Sequence, residues 1–358
     1  MVILHVGRVY DGPTNGVCVV VPGHIASQAR TESVALLNIS QYTPTGVENV
    51  FFYRKPFSLG DLPAPFDKPD IVIFHQVYFP AYRDISEALR RAKIPYVIVP
   101  HSSLTKEAQS MKRAKKIVGN IIYSSFIRGA AAIQCLSAYE VEQTRAGREK
   151  FLGTNGIPMP QRKKESFSEG KLRFIYIGRL DAYHKGLDIL LDAFKMISES
   201  EYADKCELDI YGPDYRGRYA RLEGMIAERE LSGIVKLSGP VFGDEKVNKL
   251  LGADVFIQTS RLEGMPMGIL ESLSYGMPCL VTEGTTVGGF IEKYGAGWSA
   301  KTDAKSVFEC IVRAVSERES LPLMVPAAQA LIEDNFLWDK VTEANLASYR
   351  KYTDLGEN

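Results

Sequence analysis

The chain has 358 residues, 45% hydrophobic and 24% charged, with 43 basic against 43 acidic side chains and a formal net charge of zero. At roughly 150 residues per domain this length predicts about two domains, and so ordinary a composition excludes a disordered, collagen-like or coiled-coil chain. No apolar run reaches the roughly 18 residues a membrane-spanning helix needs, because even residues 118–136 are broken by Arg128 and several polar groups.

In chain order, the opening MVILHVGRV predicts a core strand rather than the cationic, cleavable pattern of a secretory signal. Runs rich in Val, Ile, Leu and Phe recur at residues 2–7, 70–75, 96–101, 131–137, 173–178, 207–212, 235–239, 254–259 and 278–282. Such continuous runs suit parallel strands covered on both faces. Helical patterns lie between them. Residues 185–197 put Leu187, Leu190, Leu191 and Phe194 on one face, residues 218–231 show a second such pattern, and residues 339–351 predict a final helix. Alternating strand and helix predicts an α/β doubly wound sheet, formed twice. At residues 155–171 Gly, Pro, Ser and charge replace apolar periodicity, so the expected division is 1–160, 161–338 and a terminal helix, 339–358, that crosses back to the first domain.

The zero net charge hides an asymmetry: residues 1–165 hold 21 basic and 13 acidic side chains, net +8, which leaves −8 for the rest. A basic half suits an anionic lipid or an acidic leaflet, and without aromatics interleaved along a basic stripe nucleic acid is not expected. The five cysteines are scattered and never in a C-x-x-C pair, which predicts buried, reduced thiols of a cytoplasmic protein.

Residues 261–281, RLEGMPMGILESLSYGMPCLV, carry the most chemistry. Pro266 suits a helix start, Gly276 its exit, and Pro278 forbids continuation, so a helix begins near Met267 with free N–H groups at Met267 and Gly268 as an anion site. Gly268 has no side chain to hold a phosphate away. Glu271 shares the Gly268 face and Glu263 lies in the loop ahead, so two carboxylates bracket a phosphate site, as a socket for a sugar joined to a nucleotide would. Either Glu alone reads as a solvated charge. In residues 177–194, IGRLDAYHKGLDILLDAF, Arg179 and Lys185 stand at a strand end and a helix mouth, where a departing diphosphate needs positive charge. Each alone reads as a surface cation.

With Glu263 and Glu271 in an E-x7-E pattern (EGMPMGILE) and IGRLDAYHKG as a Gly-Arg…Lys-Gly element, nearly the whole chain resembles glycosyltransferase family four, the retaining, nucleotide-sugar-dependent group of GT-B architecture. Weaker echoes are VPHSSL (99–104), LSAYEVEQ (136–143), NGIPMP (155–160) and LDIYGPDYRGRY (208–219). The chain departs from the pattern at Ser102, where the family has Gly, and in the stretched loop YDGPTNGV (10–17). The resemblance implies that Glu271 binds the ribose, Glu263 the donor sugar, the Met267 and Gly268 amides the sugar and phosphates, and Arg179 with Lys185 the diphosphate. It places Gly16, His101, Tyr211 and Pro240 at the donor too, against the plain readings of Gly16 as a turn and His101 as a structural histidine. His75 also follows a strand, with a weaker echo.

Residues 105–130 read as a basic amphipathic helix in which Lys112, Arg113, Lys115 and Lys116 face either a membrane or the acceptor, the rival being a solvated face over a core stripe. No D-x-D triplet or His–carboxylate ligand spacing occurs, so no metal is expected, and G-x-G-x-x-G, P-loop and G-x-S-x-G patterns are absent. The expected architecture is two Rossmann-like domains across a cleft, the first presenting the acceptor. The expected activity is retaining transfer of a hexose or N-acetylhexosamine from a UDP-type donor to a saccharide or polyprenyl-diphosphate-linked saccharide, in surface-polysaccharide synthesis at the inner membrane face. The alternatives are a nucleotide-sugar epimerase on the same fold and a non-catalytic sugar-nucleotide sensor.

Overall fold

The computed structural model describes residues 1–12, 16–110, 113–147, 149–214 and 217–353, with 113–115 as backbone. The chain forms two compact units, one of residues 1–156 with 338–358, the other of residues 157–337.

The first unit runs β1 (Val2–Gly7), α1 (Gly16–Gln28), β2 (Ser33–Asn38), β3 (Val50–Phe52), β4 (Ile71–His75), α2 (Pro80–Arg91), β5 (Tyr96–Val99), α3 (Lys106–Ser110), α4 (Arg113–Ile122), α5 (Ser124–Gly129), β6 (Ala132–Cys135), α6 (Ala138–Gln143) and β7 (Lys150–Leu152). Its seven strands are parallel in the order β3-β2-β1-β4-β5-β6-β7. The order reverses direction between β1 and β4, the switch point at which ligands of doubly wound sheets bind. Ile71–Phe74 and Tyr96–Val99 are almost wholly buried, which is why these runs carry no polar alternation. Residues 105–130 are not one helix: α3, α4 and α5 divide them, with Tyr123 as the N-cap of α5. β2, β3 and β7 have no counterpart among the expected strands.

The second unit runs β8 (Leu172–Ile177), α7 (Leu187–Ser198), β9 (Cys206–Tyr211), α8 (Arg218–Glu228), β10 (Val235–Ser238), α9 (Gly243–Gly252), β11 (Val255–Gln258), α10 (Met267–Ser274), β12 (Cys279–Thr282), α11 (Gly288–Tyr294), β13 (Gly297–Ala300), α12 (Ala304–Ser316) and α13 (Leu321–Asn335). Its six parallel strands follow β10-β9-β8-β11-β12-β13, with the reversal between β8 and β11. Leu187, Leu190, Leu191 and Phe194 of α7 are fully buried in the core that includes Phe174, Leu208 and Ile257, as their common face requires.

The last helix, α14 (Trp338–Thr353), belongs to the first unit, where it packs along α1. Thr342 Oγ1 lies 2.7 Å from Ser27 Oγ, and a Cβ at Gly23 would stand 2.3 Å from the Trp338 ring, so only glycine admits that indole. All five cysteines are buried and unpaired.

Candidate functional site

Within the second unit the polar side chains that follow β8 and β11 meet at the switch point. Lys185 is placed by its neighbour: Gly186 has φ +63°, and a Cβ there would stand 1.8 Å from the Thr259 carbonyl oxygen. Glycine alone therefore lets the loop after β8 lie on the end of β11, with Thr259 Oγ1 donating to the Gly186 carbonyl at 2.8 Å. Arg261 closes the loop from the other side through two bonds to the Asp188 carboxylate, 2.7 and 2.8 Å, and its guanidinium stacks 4.4 Å from the Tyr183 ring centre.

Lys185 Nζ then donates to Glu263 Oε1 at 2.5 Å, with both side chains largely buried. The same oxygen accepts from Ser260 Oγ at 2.7 Å and Gln258 Nε2 at 2.9 Å. Three donors on one oxygen fix the carboxylate and leave Oε2 as its remaining acceptor. The Glu263 N–H donates to the Gly284 carbonyl, and a Cβ at Gly284 would stand 2.4 Å from the Ser260 and Arg261 carbonyl oxygens, so this glycine sets the loop's path. Arg179 is exposed, and Asp181 accepts from His184 Nδ1 at 3.2 Å and pairs with Arg218 at 2.9 Å. Burial pushes the Asp181 carboxyl up, but the His184 bonds and the Arg218 charge outweigh it and hold it below the usual range. Arg179, Asp181, His184, Lys185, Leu262 and Glu263 line a concavity of about 190 Å³.

α10 starts at Met267 with Pro266 as N-cap, and Gly276 leaves it at φ +74°, both as expected from the sequence. The Met267 N–H is not free as expected: it donates to the Met265 carbonyl at 3.0 Å, because the loop tightens before the first turn. The packing does not require Gly268, since a Cβ there would meet nothing nearer than 3.7 Å. Glu271, one turn on, is held by Lys246 of α9 at 2.5 Å. Tyr211 ends β9 and is buried, whereas Pro240 follows β10 and is exposed. Lys246, Gln258, Ser260 and Asp181 escaped the sequence reading. Gln258 and Ser260 could have been found by listing the polar residues that end a buried strand, but nothing local marks Lys246, whose partner is 25 residues away.

In the first unit Gly16 begins α1 and is exposed, but residues 13–15 of its loop lie outside the described residues. His101 sits half-buried after β5, with φ +47° there and +64° at Ser102. Ser102 thus occupies the left-handed conformation that glycine adopts freely, held by the Glu140 carboxylate, which accepts its N–H at 2.6 Å. His75 is buried, with both ring nitrogens engaged by other histidines, so it offers nothing to a ligand directly.

On the basic segment Lys116 does not extend freely. Its ammonium lies 4.3 Å from the Tyr78 ring centre, and burial lowers its pKa. Lys112 lies outside the described residues, as do the side chains of Arg113 and Lys115. The apolar residues Ile117, Val118, Ile121 and Ile122 are exposed, Ile121 by 69%, so the face expected to cover a core is open, whereas Phe126 and Ile127 of α5 are buried.

Residues 160–330 match the family model described as "Glycosyl transferases group 1". Over 172 residues the chain is 28% identical to the amylovoran biosynthesis glycosyltransferase AmsK of Erwinia amylovora, a match covering 46% of this chain and 41% of that protein. The chain thus spans about two fifths of the length of that relative. Among solved structures, sucrose-phosphate synthase from Thermosynechococcus elongatus superposes with TM-score 0.75 at 14% identity, over 99% of this chain and 100% of the other. Anabaena Alr3699/HepE, solved in complex with UDP, also gives TM-score 0.75, at 17% identity over 98% and 100%. At such identities the superpositions establish the fold, two parallel-sheet Rossmann-like units of the GT-B type. The chain thus has the GT-B fold, and its residues 160–330 match the glycosyl transferases group 1 family.

Proposed function

We propose that the chain transfers a hexose or N-acetylhexosamine, with retention of anomeric configuration and without a metal, from a UDP-type nucleotide sugar to a saccharide or polyprenyl-diphosphate-linked saccharide. The observation that carries this reading is the convergence of Lys185, Arg179 and the triply held Glu263 around one concavity at the β8/β11 switch point. Lys185 and Arg179 supply positive charge where a leaving diphosphate gains negative charge, and fixed donors of this kind are typically worth a few kcal/mol each in an enclosed site. Glu263 Oε2 accepts a sugar hydroxyl, and Glu271 accepts from the ribose once Lys246 yields it. The leaving phosphate itself takes the acceptor's proton, so no enzymic base is assigned. HepE's complex with UDP and AmsK's role in amylovoran biosynthesis support a nucleotide donor and a polysaccharide product.

The partner surface we assign to α4 is an anionic membrane, since its open apolar residues adjoin the basic cluster of residues 106–116. Among the described residues no helix is long and apolar enough to cross a membrane, and a surface-lying helix needs none.

The test is incubation with a panel of nucleotide sugars and lipid-linked saccharides, with and without EDTA, assaying free nucleotide diphosphate and lengthened acceptor. Release of diphosphate together with lengthened acceptor, unaffected by EDTA, is the expected result. Isomerised donor without acceptor would establish an epimerase, binding without turnover a sensor, and activity restored only by magnesium or manganese would overturn metal independence.

A further inference from the structure

In the first unit three buried polar side chains and the half-buried His101 form one continuous line. Gln28 Oε1 lies 2.8 Å from His5 Nε2, His5 Nδ1 lies 2.8 Å from His75 Nε2, and His75 Nδ1 lies 3.2 Å from His101 Nε2. His5 sits in β1, His75 ends β4 and His101 follows β5, so the line crosses the β1/β4 switch point toward the carboxyl ends of the strands. His5, His75 and Gln28 are at most 1% exposed, and His101 is the half-buried outer end.

The direction of these bonds follows from chemistry at the far end. The Gly153 carbonyl can only accept, so Gln134 Nε2 donates to it at 2.8 Å and Gln134 Oε1 is left as an acceptor. Tyr349 Oη donates to that oxygen at 2.6 Å and has no second proton. The NH2 side of the Gln28 amide faces this hydroxyl without closing a full bond, which turns Oε1 toward His5. His5 must then donate from Nε2 and accept at Nδ1, and the same alternation passes to His75 and to His101.

We infer that Gln28, His5 and His75 are positioning residues, and that their hydrogen-bonded line fixes the proton of His101 on Nε2 so that Nδ1 is presented as an acceptor for a substrate hydroxyl. Taking that hydroxyl as a sugar's rests on the proposed function; the tautomer does not. The surroundings keep the line neutral. The titratable groups facing it are His24 of α1, Tyr82, whose hydroxyl donates to the His75 carbonyl, Tyr349 of α14, and Glu140 of α6, whose carboxylate is occupied by the Ser102 and Leu136 N–H groups. Burial first, then the neighbouring rings, disfavours a charge on any of these histidines. The left-handed backbone at His101 and Ser102 holds a conformation that non-glycine residues adopt at a cost, as residues fixed in place for a ligand often do.

The experiment is a multiple-bond proton–nitrogen NMR spectrum of the histidine rings in the whole 15N-labelled chain between pH 5 and 8. The expected result is one neutral tautomer for His5, His75 and His101, each carrying its proton on Nε2. An Nδ1-protonated His101, a mixture of tautomers, or protonation near pH 6.5 would overturn the inference. Gln28→Glu keeps the acceptor and should preserve the pattern, whereas Gln28→Leu should leave His101 exchanging between tautomers with the remaining spectrum native. An unchanged His101 in Gln28→Leu would equally overturn it. For the reaction, Gln28→Leu should raise KM for the intact nucleotide sugar about three- to tenfold, the worth of one net hydrogen bond, while inhibition by free nucleotide diphosphate stays the same. An unmoved KM beside a scrambled tautomer would remove the substrate role. A wild-type chain that turns over no nucleotide sugar would end the proposed function while the spectra still decide the tautomer.

Discussion

The Cβ that Gly186 lacks would stand 1.8 Å from a backbone oxygen, a distance no rotamer change can relieve. Gly186→Ala should therefore cost more than about 2 kcal/mol in urea unfolding, from backbone strain at positive φ and the displaced β11 end together. A loss below 0.5 kcal/mol would show that the loop does not need this contact. Lys185, its neighbour, is paired with Glu263, and Arg179 is exposed beside it. On the proposed function, Lys185→Ala and Arg179→Ala should each lower kcat by roughly a hundredfold with the fold intact, because positive charge at a leaving diphosphate matters most in the transition state. Near-wild-type turnover in both would remove them from the diphosphate site. The two carboxylates separate by partner: Glu263 is gripped by three donors at the concavity, whereas Glu271 has Lys246. Calorimetric titration should show Glu271→Ala weakening free nucleotide diphosphate and Glu263→Ala weakening only the intact sugar donor. Equal losses for both ligands in both variants would refute this division of labour.

Among the elements, α4 is where sequence and structure part. Its basic residues are plain in the sequence, and so are its isoleucines, but periodicity cannot say whether an apolar face is covered. The structure leaves Ile117, Val118, Ile121 and Ile122 open and places Lys116 over Tyr78. Membrane binding should then have two components. Cations contribute about 1 kcal/mol each near an acidic leaflet, and that part fades as the Debye length falls from about 10 Å to about 3 Å between 0.1 and 1 M salt. Inserted isoleucines add burial that salt does not screen. Sedimentation with anionic liposomes should therefore weaken at 1 M salt without vanishing, and Ile117→Ser with Ile121→Ser should abolish the remainder. Complete release by salt would mean that the apolar residues stay out of the bilayer. α10 is the opposite case: Pro266, Gly276 and Pro278 mark its ends locally, and the helix lies where they predict. What the helix-end signals did not mark was the Met267 N–H turning back onto the Met265 carbonyl as the loop tightens before the first turn.

At the scale of the molecule, the histidines make one unit acid-sensitive. Burial holds His5 down to about 3, His24 to about 4 and His101 to about 3, against 6.5 in the unfolded chain. The unfolded state binds these protons first, so their contribution is complete above pH 6.5 and is lost as pH falls to about 4 for His24 and about 3 for His5 and His101, at about 1.4 kcal/mol per pH unit for each ring. Hydrogen exchange at pH 7 and pH 5, corrected for intrinsic rates, should show loss of protection in residues 1–156 and 338–353 and little change in 157–337, which contains none of these three histidines. Equal loss in both units would place the acid sensitivity elsewhere.

The sequence by itself determined the fold class and the pair of carboxylates and cations in the second unit, because buried parallel strands and helix ends leave local marks in apolar runs, Gly and Pro. It also supplied the resemblance that names the family. It missed β3, β7 and β13, runs of three or four residues at the sheet edges that are strands because one neighbour accepts them, and it also missed β2, a six-residue inner strand whose buried apolar run was legible. Only the tertiary structure decided that Gln258 and Ser260 join Lys185 on Glu263, that Lys246 holds Glu271, and that Gln28, His5, His75 and His101 form one line. Lys185 reaches Glu263 across 78 residues, Lys246 reaches Glu271 across 25, and the histidine line joins different strands, so strand order and glycines that admit close approach fix these contacts; the Ser260 and Gln258 bonds to Glu263 are local, within five residues, in a loop whose path Gly284 sets.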